Sequence, residues 1–178
     1  MIALDDPTWA NLLHAHGPAI DTPKLLGRVA SGDFSTEVSE ALWGSLCEEG
    51  KVFTASYAAL PHLVAALGKY EPGERLDLLV LITVIARTAD ADVKSPLVPQ
   101  PMRPAFDRAL EEAKPYARDL LFAQHFQPED VPYVLGVAAV LMGHTRAGLD
   151  LMELDAGMEC PSCGEDIDLM NYFGLTTT

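Results

Sequence analysis

The stretch LLVLITVIA, residues 78–86, constrains this chain more than any other. It carries no charge and one hydroxyl, and it is bracketed by Asp77 and Arg87. Its length is about half of the ~20 residues a bilayer-spanning helix needs, so it belongs inside the protein. A helix apolar on nearly every side must be covered on every side. The run therefore predicts a central helix over about 73–88 with other elements packed around it. The chain is long enough to supply that cover: 178 residues, 49% of them hydrophobic, bury roughly 70% of the surface the unfolded chain exposes.

Punctuation divides the rest into helices. In DDPTWANLLHAHG, Asp6 is placed to cap, Pro7 to open and Gly17 to stop a helix, with Trp9, Leu12 and Leu13 at helical spacing. DTPKLLGRVASG repeats the grammar with Asp21 or Thr22 as cap, Pro23 inside the first turn and Gly32 at the end. DFSTEVSEALWGSLCEEG is capped near Asp33 or Ser35, lines Val38, Ala41, Leu42 and Leu46 on one face, and closes at Gly50. TASYAALPHLVAALGKY starts after Thr54 with Ala58, Leu60, Leu63, Val64 and Leu67 on its buried side. Pro61 lies within it and is expected to kink or break it, because its ring clashes with the preceding turn.

Beyond the central helix, DADVKSPLVPQPMRP holds four prolines between 96 and 104, which predicts an irregular loop over 90–104. Further helices are expected over 104–125 with slack at Pro115, from Pro128 to Gly143, and over about 145–155. No alternating, β-branched run stands before residue 157, so no strand is expected there. Helices of this length joined by short turns predict consecutive antiparallel pairs.

These packing and turn residues carry a resemblance. The pattern made by Trp9, Leu13, Gly17, Asp21, Pro23, Leu25, Leu26, Asp33, Ala41, Leu42, Leu46, Gly50, Val52, Ala55, Ala59, Pro61, Leu63 and Leu67 resembles small bacterial HEAT-repeat-like proteins. It covers about residues 7–70 and continues less specifically through YVLGVAAVLMGH, 133–144, to the tail. The resemblance implies an all-α fold of stacked antiparallel helix hairpins, HEAT/armadillo-like, that binds other proteins. It further implies immunity against a bacterial toxin as one role. The division it predicts is a helical-repeat domain over 1–156 and a C-terminal β-hairpin knuckle and tail over 157–178.

The knuckle reading rests on CPSCG at 160–164. In a zinc ribbon such a turn aims two thiolates, here Cys160 and Cys163, at one metal. A closed zinc site needs two more ligands, and no Cys or His follows Cys163. If zinc is held, the missing ligands come from a second copy's tail or a distant histidine. Otherwise the turn stands for its shape, folding Leu169, Tyr172 and Phe173 back onto the last helices. Cys47, between Leu46 and Glu48, reads as a small buried hydrophobe.

Little else points to chemistry. His14 and His16, two apart on the expected first helix, cannot face one point. His62, His125 and His144 are expected as capping, core or solvated residues rather than ligands. Asp77, Asp90 and Asp92 surround the central helix and its exit, where solvated carboxylates are the simple reading. No phosphate-binding loop, dinucleotide fingerprint, zinc-protease motif or nucleophile elbow occurs.

Charge narrows the partners. Twenty-six acids face twelve bases, and residues 129–178 hold nine acids against Arg146 alone. Such a surface repels phosphates, whose neutralisation drives nucleic-acid affinity, so no nucleic acid and no membrane is expected as a partner. The opening MIALDDPTW shows no signal peptide, and three cysteines without framework spacing suit a reducing compartment, so a cytoplasmic location is expected. The expected function is a non-catalytic protein-interaction module that presents an acidic face to a basic partner. The alternative is a small metal-dependent enzyme or redox module using Cys160 and Cys163.

Overall fold

The computed structural model describes residues 1–48, 50–87, 97–123, 126–153, 158–159, 162–163 and 166–167. Seven α-helices stand among them: α1 Thr22–Ala30, α2 Thr36–Leu46, α3 Thr54–Ala66, α4 Leu76–Arg87, α5 Arg103–Leu121, α6 Val131–Leu141 and α7 Thr145–Met152. Three short antiparallel pairs accompany them: β1 Leu13–His14 with β2 Gly17–Pro18, β3 Cys47–Glu48 with β4 Lys51–Val52, and β5 Met158–Glu159 with β6 Asp166–Ile167. The chain is predominantly helical, as its pattern requires.

The first helix and the expected absence of strands before residue 157 are corrected. Asp6 does cap, accepting from the Thr8 N–H at 2.8 Å, but the helical stretch is a 3₁₀ turn over Pro7–Asn11. The chain then turns through β1 and β2, with Leu13 opposite Pro18 and His14 opposite Gly17. Two distant groups draw it out of the helix. The Leu13 N–H donates to Thr54 Oγ1 at 2.9 Å and the Ala15 N–H to the Ser45 carbonyl at 3.0 Å. Helix α2 likewise stops at Leu46 rather than Gly50. Cys47 pairs with Val52 and Glu48 with Lys51, and Gly50 at φ +72° makes the reversal that an L side chain resists.

Helix α3 runs unbroken through Pro61. An internal proline costs about 3 kcal/mol. Leu60, Leu63 and Val64 on either side are buried and contribute roughly 1.5–3 kcal/mol each, so packing outweighs the lost hydrogen bond. Helix α5 passes Pro115 in the same way and ends at Leu121, short of the expected 125. The expected helices at 73–88 and from Pro128 each begin with a 3₁₀ turn, Pro72–Arg75 and Pro128–Asp130.

Leu78, Leu79, Leu81, Ile82 and Ile85 of α4 are fully buried, so the apolar run is central. It shares the centre with α3, where nine residues are buried. A narrow outward stripe remains on α4: Asp77 is exposed, and Val80, Val84 and Arg87 are half-buried. Within the Pro-rich 90–104 segment, residues 90–96 lie outside the described residues, while 97–102 form an irregular turn with Val98 buried.

The packing follows an order. Helix α3 packs on α1 and α5, and α4 packs on α2 and α6, while α1 meets α2, α3 meets α4 and α5 meets α6. Helix α7 lies against α6 with backbones in close approach. A Cβ on Gly148 would stand 2.5 Å from the Gly136 carbonyl and 2.6 Å from Val140 Cγ2. Both positions therefore admit only glycine without a shift of backbone.

Candidate functional site

Two interhelix connections meet at one edge of the molecule. At the end of α1, Arg28 reaches across the turn, with its Nε donating to Asp33 Oδ2 at 2.7 Å and Nη1 to Glu37 Oε1 at 2.8 Å. Glu37 first, and then Asp33, hold the guanidinium more firmly charged than usual. Arg28, followed by Ser35, in turn keeps Asp33 below the ordinary carboxylate range. The next connection docks here through Tyr70, whose hydroxyl donates to the Val29 carbonyl at 2.7 Å and whose ring meets Phe34 edge-on at 6.3 Å. Burial pushes the Tyr70 phenol up, and the charges of Asp33 and Glu74 push it further. Gly32, Asp33, Phe34, Ser35, Lys69, Tyr70 and Glu74 line a polar depression of about 310 Å³ between the two connections.

Two of the three cations of this edge, Arg28 and Arg75, are engaged within the protein. Arg75 Nε donates to the carbonyls of Leu67 at 3.0 Å and Tyr70 at 2.7 Å, ending α3, and its guanidinium lies 5.1 Å above the Tyr116 ring. Arg28 is held by its two carboxylates. Across residues 28–40 and 69–77, six acids (Asp33, Glu37, Glu40, Glu71, Glu74 and Asp77) stand against Arg28, Lys69 and Arg75. Glu40, Glu71, Glu74 and Asp77 are exposed. The edge is acidic.

A second concavity, about 380 Å³, lies between the N-terminal segment and α3 and is lined mainly by apolar groups, including Ile2, Ala58, Pro61 and Met102. The N-terminal wall is tied down by His62, whose Nε2 bonds the Ile2 carbonyl at 2.8 Å, and by Trp9 Nε1, which donates to the Ala3 carbonyl at 2.9 Å. Burial holds the His62 imidazole below its usual range, so it is neutral at pH 7.

The residues singled out for chemistry do not assemble among the described residues. Cys160 lies outside them. Cys163 is exposed, in the connection between β5 and β6, where Met158 pairs with Ile167 and Glu159 with Asp166. Burial pushes the Cys47 thiol up to about 12 against a weaker opposing pull from Arg87, which makes it a poor ligand and nucleophile. No group of three or more His, Cys, Asp or Glu suited to a metal gathers among the described residues.

His14 and His16 sit on the β1–β2 turn, not on a helix. His14 Nδ1 accepts from the His16 backbone N–H at 3.0 Å, so Nε2 carries the proton toward Asp21 Oδ1, also at 3.0 Å. Both ring nitrogens are thus occupied. His144 is exposed at the start of α7 and Asp77 is exposed on α4. His125, Asp90, Asp92, Leu169, Tyr172 and Phe173 lie outside the described residues. No helix among the described residues is long and apolar enough to cross a membrane.

Sequence reading expected an acidic face but did not place it, because its charges are spread over two segments some forty residues apart. Their recurrence in successive interhelix connections was the available signal. No protein-family model matches the chain, and neither a curated protein nor a solved structure matches it.

Proposed function

We propose that this protein is a non-catalytic interaction module, a stack of HEAT/armadillo-like helix hairpins whose acidic turn edge takes a basic protein partner. The observation that carries the reading is the edge built from the α1–α2 and α3–α4 connections, where acids outnumber bases two to one and two of the three bases are engaged. The order of helix packing from α1 to α6 supports the stack: α1 lies on α3 and α3 on α5, while α2 lies on α4 and α4 on α6. Stacked hairpins of this kind bring successive connections to one side. The α5–α6 connection then extends the edge with Asp119, Glu129 and Asp130 against Arg118. Complementary charge of this sort sets partner choice and on-rate more than raw affinity.

In this reading the Cys160–Cys163 turn contributes shape rather than reaction chemistry. The test is capture from cells of the native host, followed by mass spectrometry, at low and high salt. The chain is compared with a Glu40→Lys, Glu71→Lys, Glu74→Lys, Asp77→Lys variant. The expected partner is basic, is retained at low salt, is released at high salt and is lost with the variant. A partner that ignores both salt and charge reversal contradicts the proposal. Replacing both cysteines by serine is expected to leave capture intact, and loss of capture would favour the metal or redox alternative.

A further inference from the structure

Where α5 hands over to α6, an apolar groove of about 290 Å³ is lined by Leu120, Leu121, Phe126, Val131, Val134 and Leu135. Leu121 and Leu135 are each 43% exposed, and Phe122, next to Leu121 in the chain, is 81% exposed. Large apolar side chains clustered in water mark an interaction surface. The chain's own hydrogen bonds fix both walls. The Phe122 N–H donates to the Asp119 carbonyl at 3.2 Å and the Ala123 N–H to the Leu120 carbonyl at 3.1 Å, closing α5. Ahead of α6, the Asp130 N–H donates to the Gln127 carbonyl at 2.9 Å and the Gln127 N–H to Asp130 Oδ2 at 3.1 Å.

The surrounding charge decides what can cover such a groove. Residues 119–145 hold three acids, Asp119, Glu129 and Asp130, and no lysine or arginine, with Arg118 just outside the stretch. Asp119 directly precedes the lining residue Leu120, and Asp130 precedes Val131, so each wall begins with an acid. Asp119 and Glu129 are exposed. A second copy would set the same three acids against these, on a chain of net charge −14. Nucleic acid and anionic lipid are repelled for the same reason. A purely apolar cover would strip water from the carboxylates without a counter-charge, which is costly. An amphipathic segment that is apolar at its centre and basic at its flanks satisfies both the floor and the rim.

We propose that this groove receives the apolar anchor of a basic amphipathic segment. One large apolar side chain sits among Leu121, Phe122 and Leu135, and flanking lysines or arginines meet Asp119 and Glu129. This rests on the acidic-edge reading and names what the basic partner carries. The edge steers the partner in, and a buried anchor at the third connection holds it in one register.

The probe is a synthetic peptide of lysine, leucine and one phenylalanine, with its apolar residues on one helical face, titrated against the full-length protein by fluorescence anisotropy. Phe122→Ser and Leu135→Ser, both at exposed positions, are each expected to weaken binding about tenfold or more. Peptides with serine for the apolar residues, or glutamate for the lysines, are expected to bind at least about tenfold more weakly. On the wild-type chain, benzoylphenylalanine in place of the phenylalanine is expected to crosslink to 120–123 or 131–135. Equal binding of either altered peptide overturns the proposal, as do crosslinks elsewhere. Binding that survives Phe122→Ser but is lost with the four-lysine edge variant overturns it too and leaves the acidic-edge reading standing. Binding lost with Phe122→Ser but indifferent to the edge variant supports the groove and contradicts the edge. A light-scattering mass of two chains that falls to one with Phe122→Ser assigns the groove to a second copy and overturns the proposal.

Discussion

The two ends of the helical body are closed by different physics. At the N-terminal end, residues 1–20 are mostly non-helical and are fastened by specific long-range hydrogen bonds: Leu13 to Thr54, Ala15 to Ser45 and Ile2 to His62. Trp9, Leu12 and Ala19 are buried beneath them. At the C-terminal end, α7 is fitted to α6 by the lack of side chains at Gly136 and Gly148, and an apolar groove with Phe122 in water remains beside it. One closure distributes its strength over several bonds worth about 1 kcal/mol each. The other concentrates it in a single backbone approach. The C-terminal end should therefore be the more brittle under single substitutions.

Ile82 lies between the two ends, and its substitution is expected to have the largest effect. Ile82→Asp buries a charge without a partner, at a cost of about 3–5 kcal/mol, a large part of a domain's whole margin of about 5–15 kcal/mol. Both ends should lose hydrogen-exchange protection together. If the variant melts with the wild type, α4 is not the shared centre and the comparison of ends has no basis.

Gly148→Ala comes next. Its Cβ meets backbone atoms that cannot rotate away, and overpacking of this kind costs about 1–3 kcal/mol. Chemical denaturation should show a lower midpoint. Exchange should show α6 and α7 loosened while α1–α3 stay protected. Equal loosening at both ends would mean that the closures are not separate.

Thr54→Val makes the matching perturbation at the other end. It removes the acceptor for the Leu13 N–H and should cost about 1 kcal/mol, with faster exchange at residues 13–18 and α6–α7 unaffected. An effect as large as that of Gly148→Ala would reverse the ranking of the two ends.

The smallest expected effect is one of pH. His62 has its folded-state value lowered by burial from 6.5, so the unfolded chain takes up a proton more readily than the native one. The stability linked to His62 is complete above about pH 6.5 and is lost as pH falls through the lower folded value. Melting temperature should drop more steeply below pH 6.5 in the wild type than in His62→Gln. Superimposable profiles would remove His62 as the pH-sensitive tie of the N-terminal segment.

These contrasts also show what could be read from residue order. First-turn prolines located the starts of α1, α5 and α6, and glycines the ends of α1 and α6, to within a few residues, because those signals are local. The apolar run 78–86 announced its own burial. Helix α3 through Pro61 and the turns at 13–18 and 47–52 were not legible, since long-range packing and the hydroxyl of Thr54 decide them. Two-residue strands are too short to show alternation. The Gly136–Gly148 approach lies in two different helices, and neither glycine differs locally from any other. The acidic edge was visible only as an overall excess of acids, because Tyr70 is what brings its two halves together.

Hydrogen exchange of the full chain, with and without the captured partner, tests the proposal that the acidic turn edge receives a basic protein. Slowed exchange at about 31–40 and 67–77, vanishing at high salt, is the predicted result. Protection centred instead on α5, or no change at the edge while the partner is bound, would contradict it.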